Sequence, residues 1–201
     1  QAVAKLILQH PGAHFQINSE LPRDAAIHFE KRRSDFFIGT EGELNQNNNA
    51  QSITLPWPDI NYIVREGPPL LSLPEIRLAD CLAYPLLGPR PPTWWEEYFR
   101  DWALGIGVPL PTGYENTSPF HRAQSTDWAV ILTLCRTCDG ITGGCRSQMQ
   151  SYESEGFVII EPIDAPPLPD ANMILAWHDN TPITILLKDT ILANQDALPG
   201  D

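Results

Sequence analysis

The sequence predicts an α/β fold. Two observations carry that prediction. Stretches with helical apolar spacing alternate with short apolar or alternating runs along the whole chain. Proline is frequent, 20 of 201 residues, and is scattered rather than packed into one tract. That distribution suits many short elements joined by stiff turns. Apolar residues make up 42% of the chain, enough for a core and too many for a disordered polymer.

The elements follow in order. Ala2, Val3, Leu6 and Ile7 repeat at helical spacing, and Pro11-Gly12 ends that helix. His14–Asn18 alternates, with Phe15 and Ile17 on one face, and reads as a strand. Leu21–Arg33 reads as an amphipathic helix with Ala25, Ala26 and Phe29 inward. SDFFIG, residues 34–39, fits a strand buried on both faces of a parallel sheet. Helix, strand, helix, strand predicts a βαβ crossover. Residues 41–51 are polar and read as a solvent loop. Residues 53–66 form two extended pieces broken at Pro56-Trp57-Pro58, because two such prolines do not fit the middle of a sheet. A crossing between lobes is placed there.

Residues 78–88 give a helical turn and then a strand, Tyr84–Leu87. Residues 91–107 give a helix carrying Trp95, Phe99, Trp102 and Ala103 on one stripe. Residues 111–116 read as a strand. Residues 125–137 read as a helix capped by Ser125 or Thr126. DGITGG, residues 139–144, is a tight turn or short strand. Residues 155–163 and 172–177 are strands. A helix with Thr181 as its cap and Pro182 in its first turn closes the chain.

Charge and motifs exclude several functions. Thirteen basic against 25 acidic residues give −12, so bulk charge does not suit nucleic-acid binding. No Lys or Arg occurs from Ser147 to Leu187, which makes one flank acidic. The longest apolar runs fall far short of the ~20 residues that span a bilayer. No signal peptide is visible. The four cysteines are therefore expected to be reduced, as in the cytoplasm. There is no G-x-S-x-G, H-E-x-x-H or G-x-x-x-x-G-K motif, so an enzyme is not expected. The chain opens on Gln1 within a helix, which suggests a piece of a longer protein.

Seven segments, in order, resemble the effector-binding domain of LysR-type transcriptional regulators. They are HPGAHFQI, SDFFIG, INYIVREGPPLL, LADCLAYPLLG, WWEEYFRDWALGIGV and DGITGG followed by GFVIIEP. LADCLAYPLLG is the most specific, and Pro68 stands where the family usually has His. The resemblance spans about Ala2 to Gln195. It implies a two-lobed type 2 periplasmic-binding-protein-like fold with two crossing strands. Lobe I would be residues 1–59 and 170–201, and lobe II residues 60–169. The second crossing would lie near residues 165–172.

The resemblance further implies a ligand-sensing domain that binds a small metabolite between its lobes. It would form a homodimer or tetramer, with the helix Ala2–Gln9 against a partner's second lobe. DNA would be bound only through a winged helix-turn-helix that lies outside this chain. No cofactor, metal or membrane is implied. The alternatives are a transporter's solute-binding protein, of the same fold group, and a thiol-based redox sensor.

Candidate effector contacts sit at strand ends and helix starts. The first group is Ser19, Glu20 and Pro22, at the entry to the second helix. Here Glu20 would repel a carboxylate, while Pro22 equally suits a plain helix entry. The second is Thr40, a hydrogen-bonding residue without charge. The third is Asn116, Thr117 and Ser118 with Thr142, Gly143 and Gly144. The two glycines allow close approach of a ligand to the backbone. Hydroxyls and amides dominate, so a neutral or zwitterionic effector is expected over a dianion, with Arg65 and Arg122 as the nearest cations. Cys135, Cys138 and Cys145 form C-x2-C-x6-C without a second C-x2-C. That reads as structural thiols, with Cys135 and Cys138 facing the core, rather than a zinc site or a redox pair.

Overall fold

The computed structural model describes residues 2–45, 49–107, 121–166 and 172–195. The chain divides into two compact units, Gln1–Trp57 with Ala171–Asp201, and Pro58–Asp170. The break between them falls inside Pro56-Trp57-Pro58, between β2 (Gln51–Leu55) and β3 (Ile60–Arg65).

The first unit is a three-stranded antiparallel sheet in the order β1-β8-β2, with β1 at Phe36–Thr40 and β8 at Met173–Trp177. β8 is the central strand, and its alternation serves two layers. Ile174 and Ala176 pack with Phe37, Ala26 and Phe29 of α2 (Pro22–Glu30). Leu175 and Trp177 pack with Leu55 and Ile191 of α7 (Pro182–Gln195). Thr181 caps α7 by accepting from the Thr184 N–H at 3.2 Å. In α1 (Ala2–Gln9), Leu6 is fully buried, while Ile7 and Leu8 are exposed.

Three linked expectations fail here. Residues 14–18 form no strand, and Ile17 is exposed. Without that strand the described residues of the opening segment form no βαβ crossover. β1 is instead an antiparallel edge strand with Ile38 exposed, so it is not buried on both faces of a parallel sheet. Period-two alternation describes a surface able to pair, and the described residues give 14–18 no partner strand.

In the second unit, β3 lies between β6 (Thr142–Cys145) and β7 (Phe157–Ile160), antiparallel to both. β4 (Leu86–Gly88) pairs parallel with β5 (His121–Gln124). Ile141 joins the two ladders: its N–H donates to Pro85 O at 2.9 Å, and its carbonyl accepts from Leu87 N–H at 2.8 Å. One core cluster holds Val64, Leu86 and Ile141 with Leu78 and Cys81 of α3 (Leu78–Leu82) and Phe99 and Ala103 of α4 (Thr93–Gly105). A second holds Ile63 and Leu87 with Ile131, Leu132 and Cys135 of α5 (Trp128–Cys138) and Met149 of α6 (Arg146–Ser151).

Local signals shifted by a residue or two. The strand expected at Tyr84–Leu87 begins at Leu86, because Tyr84 turns its hydroxyl to the Leu70 N–H at 3.1 Å. α5 is capped by Asp127, whose carboxylate accepts from Ala129 N–H at 2.9 Å, rather than by Ser125 or Thr126. Ser125 instead accepts from the Asp127 N–H at 3.0 Å and supports that cap. The strand expected at residues 111–116 lies outside the described residues, as does most of the expected second crossing.

Candidate functional site

The polar groups expected in the first unit are already engaged or plain in role. Ser19 is exposed and precedes α2. Glu20 bonds His28 Nδ1 at 2.8 Å, so its carboxylate has a local partner. Pro22 is the first residue of α2, a favoured position for proline. Thr40 ends β1 and is buried.

In the second unit, Asn116, Thr117 and Ser118 lie outside the described residues. Thr142 opens β6 and is fully buried, yet its hydroxyl has no hydrogen-bond partner among the described residues. Such an atom calls for an explanation, since a buried unpaired hydroxyl costs about 1–3 kcal/mol. Its position follows from the local chain. The Ile141 bonds hold the strand start against β4, and only glycine fits at 140, where a Cβ would fall 2.2 Å from Leu87 Cδ1. Gly143 lies against the Tyr62 ring and Gly144 against Met149. Burial pushes the Tyr62 phenol up to about 12, so it is protonated and neutral.

Three further groups lie on the strands around β6. Asn61 is buried opposite Gly144; its Nδ2–H donates to Glu161 at 3.1 Å, while its Oδ1 has no partner among the described residues. Gly88 ends β4 and is buried. A Cβ built there would lie 3.4 Å from His121 Nε2 and 3.6 Å from Thr142 Oγ1, at ordinary contact distance. Burial lowers His121 to about 4, so its ring is neutral at pH 7. Sequence reading passed over Gly88 and His121, because only the pairing of β4 with β5 brings them to Thr142. The one available signal was a histidine inside an otherwise polar stretch.

Arg65 is not a free cation for a ligand. It is paired with Asp139 and donates to the Glu66 carbonyl at 2.7 Å. The cysteines divide. Cys81 and Cys135 are buried, and their thiols are pushed up to about 12, chiefly by burial. Cys138 is exposed rather than core-facing, at the last turn of α5, with Sγ 3.1 Å from Leu134 O. Arg136 bonds Glu155 at 2.7 Å and lies over the Phe157 ring. At pH 8 a disulfide reagent should therefore label Cys138 first, Cys145 more slowly, and Cys81 and Cys135 only after unfolding. Rapid titration of all four thiols in native protein would contradict this assignment.

The architecture is that of a two-lobed α/β ligand-binding domain of the type 2 periplasmic-binding-protein class. The LysR substrate binding domain model matches residues 1–191, and the chain belongs to that family of ligand-sensing regulatory domains. Among solved structures it is similar to HinK, a LysR family transcriptional regulator from Pseudomonas aeruginosa. That match has TM-score 0.66 and 14% identity, and covers 98% of this chain and 65% of the other. It is also similar to the effector binding domain of QuiR in complex with shikimate, with TM-score 0.68, 15% identity and coverage of 98% and 89%. A third is the regulatory domain of MetR, a LysR family regulator from N. meningitidis, with TM-score 0.63, 19% identity and coverage of 99% and 88%. The chain spans 66% and 65% of the first two solved chains it matches. No curated protein matches it in sequence. Among the described residues no helix is long and apolar enough to cross a membrane.

Proposed function

We propose that this chain is the sensing part of a bacterial, cytoplasmic transcriptional regulator and catalyses no reaction. A small metabolite would bind between lobe I, residues 1–59 and 170–201, and lobe II, residues 60–169. Binding shifts the balance between two arrangements of the lobes and biases a DNA-binding segment elsewhere in the protein. Thr40, Thr142, Gly143 and Gly144 contribute contacts, and copies associate as a dimer or tetramer. The family match over residues 1–191 carries this reading. It also favours a regulator over a transporter's solute-binding protein.

A thermal-shift screen against amino acids, aromatic acids, sugars, nucleobases, peroxide and zinc tests it. A ligand at 100 times its Kd stabilises by about 2.7 kcal/mol. The expected result is a shift with one metabolite class and no product formed on prolonged incubation. A shift with peroxide alone, or turnover of the bound compound, would overturn the reading. Gel filtration giving a monomer at high concentration would count against the dimer.

A further inference from the structure

We propose that residues 161–164 form a strap where the chain leaves the second unit, with Glu161 and Asp164 as its positioning residues. The strap makes the two connections to the first unit act as one hinge rather than as two independent linkers. The proposal rests on the reading that a balance between two arrangements of the units carries the signal, and it names the groups that keep those arrangements discrete.

The chain passes between the units twice, after Trp57 and after Asp170. It enters the second unit on β3 and leaves that unit's sheet on β7, and these strands are antiparallel neighbours. Entry and exit therefore lie side by side at one end of the sheet. The backbone pairing stops at Tyr62 and Ile160, and side chains continue it. Asn61 Nδ2–H donates to Glu161 Oε1 at 3.1 Å, and Arg146 Nη1 reaches the same oxygen at 3.1 Å. The Arg146 N–H also donates to the Asp59 carbonyl at 2.8 Å. One carboxylate thus joins the entering chain, the leaving chain and the start of α6.

The strap takes a second grip three residues on. The Ile163 N–H donates to the Ile76 carbonyl at 3.0 Å. Asp164 Oδ1 accepts from the N–H of Leu78, the first residue of α3, at 2.7 Å. Pro162, between the two grips, is buried. α3 belongs to one core cluster of the unit and α6 to the other, so the strap spans both.

The carboxylates do more than form surface ion pairs. Glu161 and Arg146 are each about half exposed, and such a pair alone contributes little. Asn61 is buried, at 6% exposure, two residues before Ile63 on the same face of β3. Among the described residues Glu161 is the acceptor for its amide, and a buried donor left without an acceptor costs more than its bond contributes. The Leu78 N–H has no partner within its own helix, as the first turn of any helix dictates. Each carboxylate therefore answers a donor on an element other than its own.

The experiment is single-molecule energy transfer on the whole chain, without ligand. One dye sits on Cys138, the exposed thiol of α5, and the other on a cysteine introduced by Lys31→Cys at the exposed end of α2. Cys145→Ser confines the labelling. The wild-type chain is expected to give discrete transfer-efficiency peaks no wider than photon noise, one for each arrangement populated. Glu161→Ala and Asp164→Ala should each lose the discrete peaks to a continuous band. Glu161→Gln and Asp164→Asn keep an acceptor oxygen and should retain the peaks. Tm is read alongside, because a merely structural role lowers Tm and leaves the peaks discrete.

Discrete peaks in both alanine variants, whatever their Tm, would overturn the proposal. So would a continuous band in the wild type, the behaviour of two independent linkers. Should Asp164→Ala fail to fold, Glu161→Ala decides the matter, since that side chain is half exposed. The measurement needs no ligand. Its failure leaves a metabolite-induced thermal shift standing, and a silent metabolite screen leaves the peaks as they are.

Discussion

Replacing Phe29 with alanine is expected to destabilise the first unit by about 3–5 kcal/mol. Phe29 is fully buried on α2. Its ring lies 6.0 Å from that of Phe37 on β1 and stacks on His178 at 4.1 Å, with the planes 10° apart. His178 follows β8, and its Nε2–H donates to the Phe29 carbonyl at 3.0 Å. One side chain thus fastens α2 to an edge strand and to the end of the central strand. Truncation removes the ring area and leaves a cavity between elements far apart in sequence. Urea unfolding followed by circular dichroism measures the loss. A change below 1 kcal/mol would mean that the unit closes around the gap. Phe29→Leu should recover most of the stability.

The second large effect is acid destabilisation through His121. Its ring titrates near 4 in the folded protein against an ordinary value of 6.5, because burial disfavours the charged form. The unfolded chain binds this proton first. Stability from neutral His121 is therefore complete above pH 6.5 and falls as pH drops through the window from 6.5 to 4. The loss at the bottom of that window is about 3 kcal/mol. Unfolding free energies of the wild type and of His121→Asn, measured between pH 7.5 and 4.5, isolate the contribution. The variant should lose less stability over that range. Identical slopes would show that His121 takes up its proton as readily folded as unfolded.

Helices and breaks were legible in the residues because their signals are local. Trp95, Phe99, Trp102 and Ala103 mark the stripe that α4 packs on β4 and α3, with Phe99 and Ala103 buried. Pro56 and Pro58 mark where one compact unit gives way to the next. Strand pairing was not legible in the same way. Residues 14–18 carry a strand pattern and form no strand, and β1 pairs antiparallel with β8, whose residues lie at the other end of the chain. A pairing partner is set by tertiary competition, which a pattern in one segment does not encode.

The site shows the same division. Thr142 was visible as a hydroxyl beside two glycines in the turn after α5. Gly88 and His121 reach it only through the parallel β4–β5 pairing, with its irregularity after Leu86, and through the Ile141 bridge. Glu20 was readable as a charge near a helix start, but not as the partner of His28 eight positions on.

The central place of β8 also sets an order of assembly. β1 and β2 precede the second unit in the chain, yet among the described residues neither pairs with the other and each bonds to β8 alone. During synthesis both must wait, with unpaired edges, while the intervening unit of residues 58–170 emerges and folds. The strands translated ahead of the second unit are therefore among the last to find their partner. A chain stopped before Met173 keeps every residue of its second unit and leaves the first without a sheet.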